Sequence, residues 1–410
     1  MSRAILSLNS GSSSIKFGLF VIDGDQIVRA ASGKLEKIGI APRLAVWDET
    51  GTTIAERSWP DGQELTHEAL LQDLYAWADV HLPHHDIVAV GHRVVHGGNS
   101  FVQPVRIDPT IMKELEALAP LAPLHQPHNL AAIRAIARLA PDIPQVACFD
   151  TAFHHTMAPV ASAFALPRKL AAKGIRRYGF HGISYEYVTR LLRESDPRLA
   201  EGKVIIAHLG NGASMCAVEN GRSVDTTMGF TALDGLVMGT RCGTLDPGVP
   251  LHLIESEGME PREVQSMLYE ESGLLGVSGI SSDMRELHSS DDPRAREAID
   301  LFTWRAAREA GALVSSLGGL DGFVFTAGIG ENDAKVRAAI AKRLEWTSLR
   351  IDDHANRSPS QVISTPESGV KVLVVSTDEE HMIALHTFEA LSGIVLAPKS
   401  IGRSSDGRST

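Results

Sequence analysis

Residues 5–22 read Ile5-Leu6-Ser7-Leu8-Asn9-Ser10-Gly11-Ser12-Ser13-Ser14-Ile15-Lys16-Phe17-Gly18-Leu19-Phe20-Val21-Ile22: an apolar run, a small polar string and a second apolar run. Alternation and β-branching in Ile5–Leu8 and Ile15–Ile22 predict two strands, and the string Asn9–Ser14 predicts a hairpin-like connection. Asp23-Gly24 supplies the next turn. The same order returns later: Val204–Leu209 runs into Gly210-Asn211-Gly212-Ala213-Ser214, Met215–Val218 follows, and Asn220-Gly221 closes the unit. Short strand–turn–strand patterns recur by chance, so this is a weak internal repeat. Its functional reading is two similar domains facing each other, each presenting a phosphate-contacting hairpin.

Outward from these hairpins, Gln26–Leu35 and Arg43–Trp47 are predicted strands, and Glu64–Ala78 has helical spacing. Ile87–Val90 reads as a short strand ending at Gly91-His92-Arg93, and Gln145–Phe149 as another ending at Asp150, with helices near 109–119 and 127–140 between them. Helices near 261–270 and 294–316 lead to a strand Phe323–Thr326, a loop Ala327–Asn332 and a helix from about 333. A strand Val370–Val375 and a helix near 380–391 complete the pattern, and the Ser/Gly/Arg-rich tail from Ser400 is expected to be disordered. Alternating strands and helices predict an α/β architecture.

The chain has 410 residues, enough for two domains, with 43% hydrophobic and 22% charged residues, which excludes a disordered chain. No run of about 18 apolar residues occurs, so no membrane-spanning helix is expected. The start, Met1-Ser2-Arg3-Ala4-Ile5-Leu6, reads as a first strand and not as a signal peptide. With 39 basic and 50 acidic residues the net charge is −11, and no basic run with interleaved aromatics appears, so nucleic-acid binding is not expected. An anionic substrate must then be met by a few placed arginines. Three separated cysteines, Cys148, Cys216 and Cys242, argue against a disulfide frame or structural zinc and suit a reducing cytoplasm.

Three glycine-rich segments, around Gly11, Gly212 and Gly328/Gly330, each follow an apolar strand. Glycine permits close backbone approach, and successive N–H groups can cradle phosphate oxygens. None fits the Walker or Rossmann pattern, and each alone also reads as a plain tight turn. Lys16, sharing a strand face with Ser14 and Gly18, is either a solvated lysine or a cation for phosphate. Arg93 and Arg241 are bracketed by glycines, and the arginine fork suits carboxylate and phosphoryl oxygens; a surface ion pair is the alternative for either alone. His125 and His181 lie among Pro, Gly and apolar residues, as structural histidines or as donors to phosphoryl. Asp150 ends a strand, where α/β folds present a ligand crevice, or it caps a helix. Asp378 and Glu379 either cap the last helix or reach magnesium.

Taken together, LNSGSSSIKF (8–17), GHRVVHGG (91–98), FDTAFH (149–154), RYGFHGIS (177–184), HLGNGAS (208–214), the segment Asp225–Arg241 and TAGIGEN (326–332) resemble the acetate kinase (acetokinase) family, in order and spacing, from about Ser7 to Leu391. The resemblance implies the sugar kinase/Hsp70/actin superfamily: α/β, with two duplicated actin-like ATPase (ribonuclease H-like) domains and a cleft between them. It places residues 1–150 plus about 380–396 in an N-terminal domain and 151–379 in a C-terminal one, with 397–410 as the tail. It implies Mg²⁺ near Asn9 and Glu379, with Mn²⁺ able to substitute. ATP contacts are implied at Ser12, Ser14 and Lys16, at His208, Leu209, Gly210, Asn211 and Gly212, at Asp283, Met284 and Arg285, and at Gly328, Ile329, Gly330, Glu331 and Asn332. Asp150, His181, Arg241, Arg93 and His125 take the catalytic positions. Arg93 also binds the carboxylate, and Val95, Leu124 and Phe180 wall a methyl pocket.

Ala232 stands where the family usually has the proline of Phe-Thr-Pro-Leu-Glu-Gly-Leu, and Asp234 where it has Glu. Cys242 and Thr244 replace the usual Ser and Asp after the arginine. The implied reaction is ATP + acetate ⇌ ADP + acetyl phosphate, by direct in-line transfer, with propionate also accepted. A cytoplasmic homodimer that binds neither nucleic acid nor membrane is the implied setting. An ATPase switch of the actin/Hsp70 type is opposed by the paired arginines and His181, since a nucleotide switch needs no anion pocket beside the γ-phosphate. A sugar or glycerol kinase is the remaining rival.

Overall fold

The computed structural model describes residues 2–11, 14–81 and 85–392. Among these, two sheets carry the architecture. The first contains β1 (Ser2–Ser10), β2 (Ile15–Asp23), β3 (Gln26–Glu36), β4 (Arg43–Asp48), β5 (Thr53–Ser58), β6 (His85–Val94), β7 (Val105–Arg106) and β8 (Gln145–Phe149), in the order β5-β4-β3-β2-β1-β6-β8-β7. The second contains β9 (Lys203–Leu209), β10 (Ala213–Glu219), β11 (Arg222–Thr226), β12 (Gly322–Thr326) and β13 (Lys371–Val374), in the order β11-β10-β9-β12-β13.

The predicted repeat is a repeat of topology. β3-β2-β1 and β11-β10-β9 are antiparallel meanders, and each continues into two parallel strands, β6 and β8 in one sheet, β12 and β13 in the other. Asn9 opposes Lys16 across the first hairpin, and Leu209 opposes Ala213 across the second.

The central strands are buried on both faces, which is why they read as near-continuous apolar runs. In β1, Leu6 and Leu8 meet Leu70, Leu71 and Leu74 of helix His67–His81, while Ile5 meets Met382, Ile383 and Leu385 of helix Glu379–Ser392. In β9, Ile205 and Ala207 pack with Phe302 and Leu313 of helix Pro293–Leu317, and Val204 and Ile206 with Val188 and Leu192 of helix Gly182–Ser195. Each such aliphatic side chain contributes about 1.5–3 kcal/mol on burial. Helices Gly182–Ser195 and Glu379–Ser392 also pack on each other, so they join the two sheets.

Several expectations are corrected here. Ala327–Asn332 is a short helix and not a loop: after extended Thr326, Ala327 at φ 65° turns the chain from β12 into the helix. β6 runs on through Arg93 to Val94, since β8 pairs beside it as far as Val94↔Phe149. Helix Gly182–Ser195 and strands β5, β7 and β11 were not foreseen. The tail from Ser400 lies outside the described residues. No helix among the described residues is long and apolar enough to cross a membrane.

Candidate active site

The strand ends that face the crevice in this kind of sheet carry the polar residues. Asn9 lies near the end of β1, Arg93 near the end of β6, and Asp150 just past β8. Arg93 donates to Asp150 through Nε (3.0 and 3.1 Å) and Nη2 (2.5 Å), and through Nη1 to Asn9 Oδ1 (3.1 Å). The Asn9 amide in turn donates to Glu379 Oε2 at 2.8 Å and to Glu380 Oε1 at 3.4 Å. Burial opposes the Arg93 charge, but Asp150, Glu379 and Glu380 outweigh it and raise its pKa. Burial raises the Asp150 carboxyl against the opposing pull of Arg93, but a carboxyl that accepts from both the arginine fork and the His181 N–H has the geometry of a carboxylate. Asp150 therefore orients Arg93.

Arg241 is differently placed. Its Nη1 donates to the carbonyl oxygen of Ala232 at 2.7 Å, and among the described residues no carboxylate pairs with it. Burial lowers its pKa, with Arg93 adding to the effect. A β-carbon on Gly212 would lie 2.9 Å from Arg241 Nη2 and 3.3 Å from His181 Nε2, so the arginine tip and the imidazole both come close to the second hairpin at this glycine. The two arginines, far apart in the chain, share one cleft: both depress the basicity of His125 and of His181.

All three cleft histidines are neutral at pH 7. Burial, then Arg241 and Arg93, hold His125 at about 4. Burial, then His208 and the arginines, hold His181 well below the usual imidazole range. Burial puts His208 at about 4, and its ring stacks on His181 at 4.3 Å. His181 is the residue before helix Gly182–Ser195 and has a left-handed backbone, φ 57°, held where the Gly182 N–H donates to the Asp150 carbonyl oxygen at 2.9 Å.

Val95, Leu124, Phe180 and Ala232, the expected pocket walls, line one small cavity together with His125 and Tyr269. The cavity is small and its walls are mostly apolar. On the nucleotide side, Lys16 is exposed but its charge acts on Glu379, Glu380 and His208. Ser14 accepts from the Gly11 N–H through its carbonyl at 2.8 Å, and Ser12 lies outside the described residues. The Gly239 N–H donates to the Asn211 carbonyl at 2.9 Å, which ties the second hairpin to the strip leading to Arg241.

The other expected nucleotide contacts divide by exposure. Asp283 caps a helix and pairs with exposed Arg285 at 2.5 Å. Met284 and Leu209 turn their side chains into the core, which leaves only their backbones for a ligand. In the helix Ala327–Asn332, nothing would obstruct a β-carbon on Gly328, Ile329 packs on the core, and Asn332 donates to the Gly328 carbonyl at 2.9 Å. Gly330 gives its carbonyl to Arg337, and Glu331 accepts from the Thr377 N–H at 3.3 Å.

The Acetokinase family profile matches residues 4–385. The chain belongs to the acetokinase family. The acetate kinase of Rhodopseudomonas palustris strain CGA009 is 50% identical over 400 residues, covering 96% of this chain and 100% of that one. That of Nitrobacter hamburgensis is 48% identical over 389 residues, covering 95% and 96%. Among solved structures, Porphyromonas gingivalis acetate kinase matches with TM-score 0.83 and 38% identity over 95% of this chain and 100% of that one. A Francisella tularensis propionate kinase matches with TM-score 0.86 and 38% identity, covering 94% and 99%.

Within this acetokinase site several residues escaped the sequence reading. Glu380, adjacent to Glu379 in the first helical turn, could have been found as an acidic pair. Ser214 lies in the quoted glycine loop and Tyr185 just beyond the string RYGFHGIS, but nothing in the sequence showed that the two meet behind His181. Asp378 does cap the last helix, accepting from the His381 N–H at 2.9 Å, and it also pairs with Arg29. Two departures from the family pattern touch: the Thr244 hydroxyl donates to Asp234 Oδ1 at 3.0 Å.

The donor set fits a hard divalent cation. Glu379 and Glu380 bring two carboxylates beside the Asn9 amide. Magnesium keeps several waters and takes one or two carboxylates plus phosphate oxygens, so a protein cage is not required. No cluster of three or more His, Cys, Asp or Glu able to hold a metal occurs among the described residues.

Proposed function

We propose that this chain transfers the γ-phosphoryl group of ATP to acetate, reversibly, giving acetyl phosphate and ADP, and that it also accepts propionate. The observation that carries the reading is a half-buried arginine, Arg241, with no carboxylate partner among the described residues, beside a neutral imidazole at the edge of a small, mostly apolar cavity.

Acetate is ionised at pH 7, so its attacking oxygen needs no general base. The barrier lies in bringing one anion to another. Arg93, aimed by Asp150, holds the carboxylate while the methyl enters the cavity of Val95, Leu124, Phe180 and Ala232. Arg241 and the His181 ring stabilise charge on the equatorial oxygens of the transferring group. Asn9, Glu379 and Glu380 would hold Mg²⁺, which when bound neutralises phosphate charge; Mn²⁺ satisfies the same oxygen donors. Lys16, Ser12 and Ser14 on one side, and His208–Gly212, Asp283–Arg285 and Gly328–Asn332 on the other, would hold the nucleotide. The working unit is two domains, residues 1–150 with the last helix and residues 151–379, in a homodimer.

A hydroxamate trap of the acyl phosphate, with ATP and Mg²⁺ over a series of short fatty acids, tests this. Acetate and propionate are expected to give product, acetate with the higher kcat/KM. Phosphoryl transfer to glycerol or glucose, or ATP hydrolysis indifferent to acetate, would overturn it.

A further inference from the structure

We propose that Tyr185 and Ser214 are positioning residues that hold His181 in the tautomer protonated on Nε2, so that the ring presents an N–H donor to the transferring phosphoryl group. The inference rests on the phosphoryl-transfer reading for its consequence, though not for its geometry.

His181 Nδ1 lies 2.8 Å from Ser214 Oγ, and the Ser214 oxygen is also hydrogen-bonded to the Tyr185 hydroxyl. Ser214 and Tyr185 are both fully buried, 0% exposed, so water cannot complete their bonding. Two bonds join these three groups, and three protons must be placed. If the ring proton sits on Nδ1, it donates to Ser214. Then either Ser214 donates to Tyr185 and strands the phenolic proton, or Tyr185 donates to Ser214 and strands the serine proton. Among the described residues neither hydroxyl has another acceptor at hydrogen-bond distance. A buried donor left unmade is strongly disfavoured.

If the ring proton sits on Nε2, both buried hydroxyl donors are used: Tyr185 O–H donates to Ser214 Oγ, and Ser214 O–H donates to the Nδ1 lone pair. The chain of donors runs one way, from the phenol to the imidazole. The remaining N–H then faces the cleft, where Nε2 and Arg241 Nη2 both approach Gly212.

The backbone supports the same aim. Tyr185 is one helical turn beyond His181, its N–H donating to the His181 carbonyl at 3.1 Å, and its ring is wedged edge-on against His154. The left-handed His181 backbone turns the ring out of the helix, and the hydroxyl pair fixes its rotation. An Nε2 lone pair would repel phosphoryl oxygens, and an imidazolium would repel both arginines; only the neutral Nε2–H form avoids both.

The test uses the full chain labelled with ¹⁵N-histidine, with His181 assigned from the spectrum of His181→Gln. The wild-type ring is expected to show a protonated Nε2 and an unprotonated Nδ1. Tyr185→Phe frees Ser214 to accept from Nδ1–H, so the spectrum should move toward the other tautomer. Its kcat should fall about tenfold with both KM values held within about twofold, because the lost donor acts in the transition state. Ser214→Ala should do the same, and Ser214→Thr, which keeps the hydroxyl, should restore both readouts. A wild-type ring protonated on Nδ1 would overturn the proposal whatever the activity. So would Tyr185→Phe with unchanged spectrum and kcat, or, should that variant not fold, Ser214→Ala with both unchanged. If the wild-type enzyme makes no acyl phosphate, the function reading fails while the ¹⁵N pattern still decides the tautomer.

Discussion

The guanidinium of Arg241 hangs from the carbonyl oxygen of Ala232, 2.7 Å away, so the charge that the proposed mechanism offers to the phosphoryl group is anchored on the wall of the proposed acyl cavity. Anchor and charge are therefore set together. Arg241→Ala should lower kcat by about 10²–10⁴, the loss of a few kcal/mol of transition-state stabilisation, with MgATP affinity kept within about threefold. Arg241→Lys should recover little, since a point ammonium cannot serve the carbonyl and a phosphoryl oxygen as a planar fork does. Turnover measured beside a nucleotide-binding titration checks both, and near-normal kcat in Arg241→Ala would remove the residue from the mechanism.

The proposed mechanism also places chain-length preference in the same cavity. Val95 is fully buried on one wall, and its N–H is held by Asn129 Oδ1 at 3.0 Å, so trimming the side chain leaves the backbone in place. One methylene in an apolar pocket is worth about 1–3 kcal/mol, so Val95→Ala should raise the propionate-to-acetate ratio of kcat/KM by about tenfold. An unchanged ratio in the hydroxamate assay would place the acyl chain elsewhere.

Much of the fold was legible because the central strands carry it in their own pattern. Ile5–Leu8, Val204–Leu209 and Gln145–Phe149 are apolar, short and bounded by turn residues, and each is a strand in the structure. Helix Gly182–Ser195 was not, since it opens on Gly-Ile-Ser-Tyr after a left-handed His181, without a Ser, Thr, Asp or Asn cap. β5 is exposed along almost its whole length and β7 has two residues, so neither shows alternation. At the site, Arg93, Asp150, His181 and Arg241 could be named from their strings, but not how their charges divide. That Asp150 pairs with Arg93, while no carboxylate among the described residues pairs with Arg241, is a fact of tertiary distance, as is the Tyr185–Ser214 pair behind His181.

The division of charge makes Asp150→Asn informative. An asparagine keeps the shape but takes from the mostly buried Arg93 guanidinium its directly paired counter-charge, leaving only Glu379 and Glu380 near it. Removing one partner of such a pair costs about 3–5 kcal/mol when fully buried, and Arg93 retains 17% side-chain exposure, so about 2–4 kcal/mol of stability should go. The acetate KM should rise with the fall in kcat, because Arg93 is the group that loses its aim. A thermal melt and an acetate titration separate the two effects. A variant with a near-normal acetate KM would show that Arg93 does not depend on Asp150 for its orientation.

A second buried ion pair lies where the two joining helices touch. His386 Nε2 is 3.1 Å from Glu186, and Arg190 bridges Glu186 and Glu389. Glu186 follows His181 by five residues and His386 follows Glu379 by seven, so the pair locks together the helices whose first turns adjoin the candidate catalytic and metal groups. Burial works against the His386 charge, but Glu186 and Cys148 overcome it and raise its pKa from 6.5 to about 10. Burial likewise opposes the Glu186 charge, yet His386 and Arg190 bring it from 4.5 down to about 2. The histidine's contribution is complete below pH 6.5 and is lost as pH rises through 10; the glutamate's is complete above pH 4.5 and is lost as pH falls through 2. The pair therefore supports the fold most between pH 4.5 and 6.5. His386→Gln should lower stability by about 2–4 kcal/mol near pH 6, with the deficit shrinking steadily toward about pH 10. Denaturant melts of both proteins across that range check the sign: a deficit that stays constant, or grows with pH, would mean that His386 is not held protonated by Glu186.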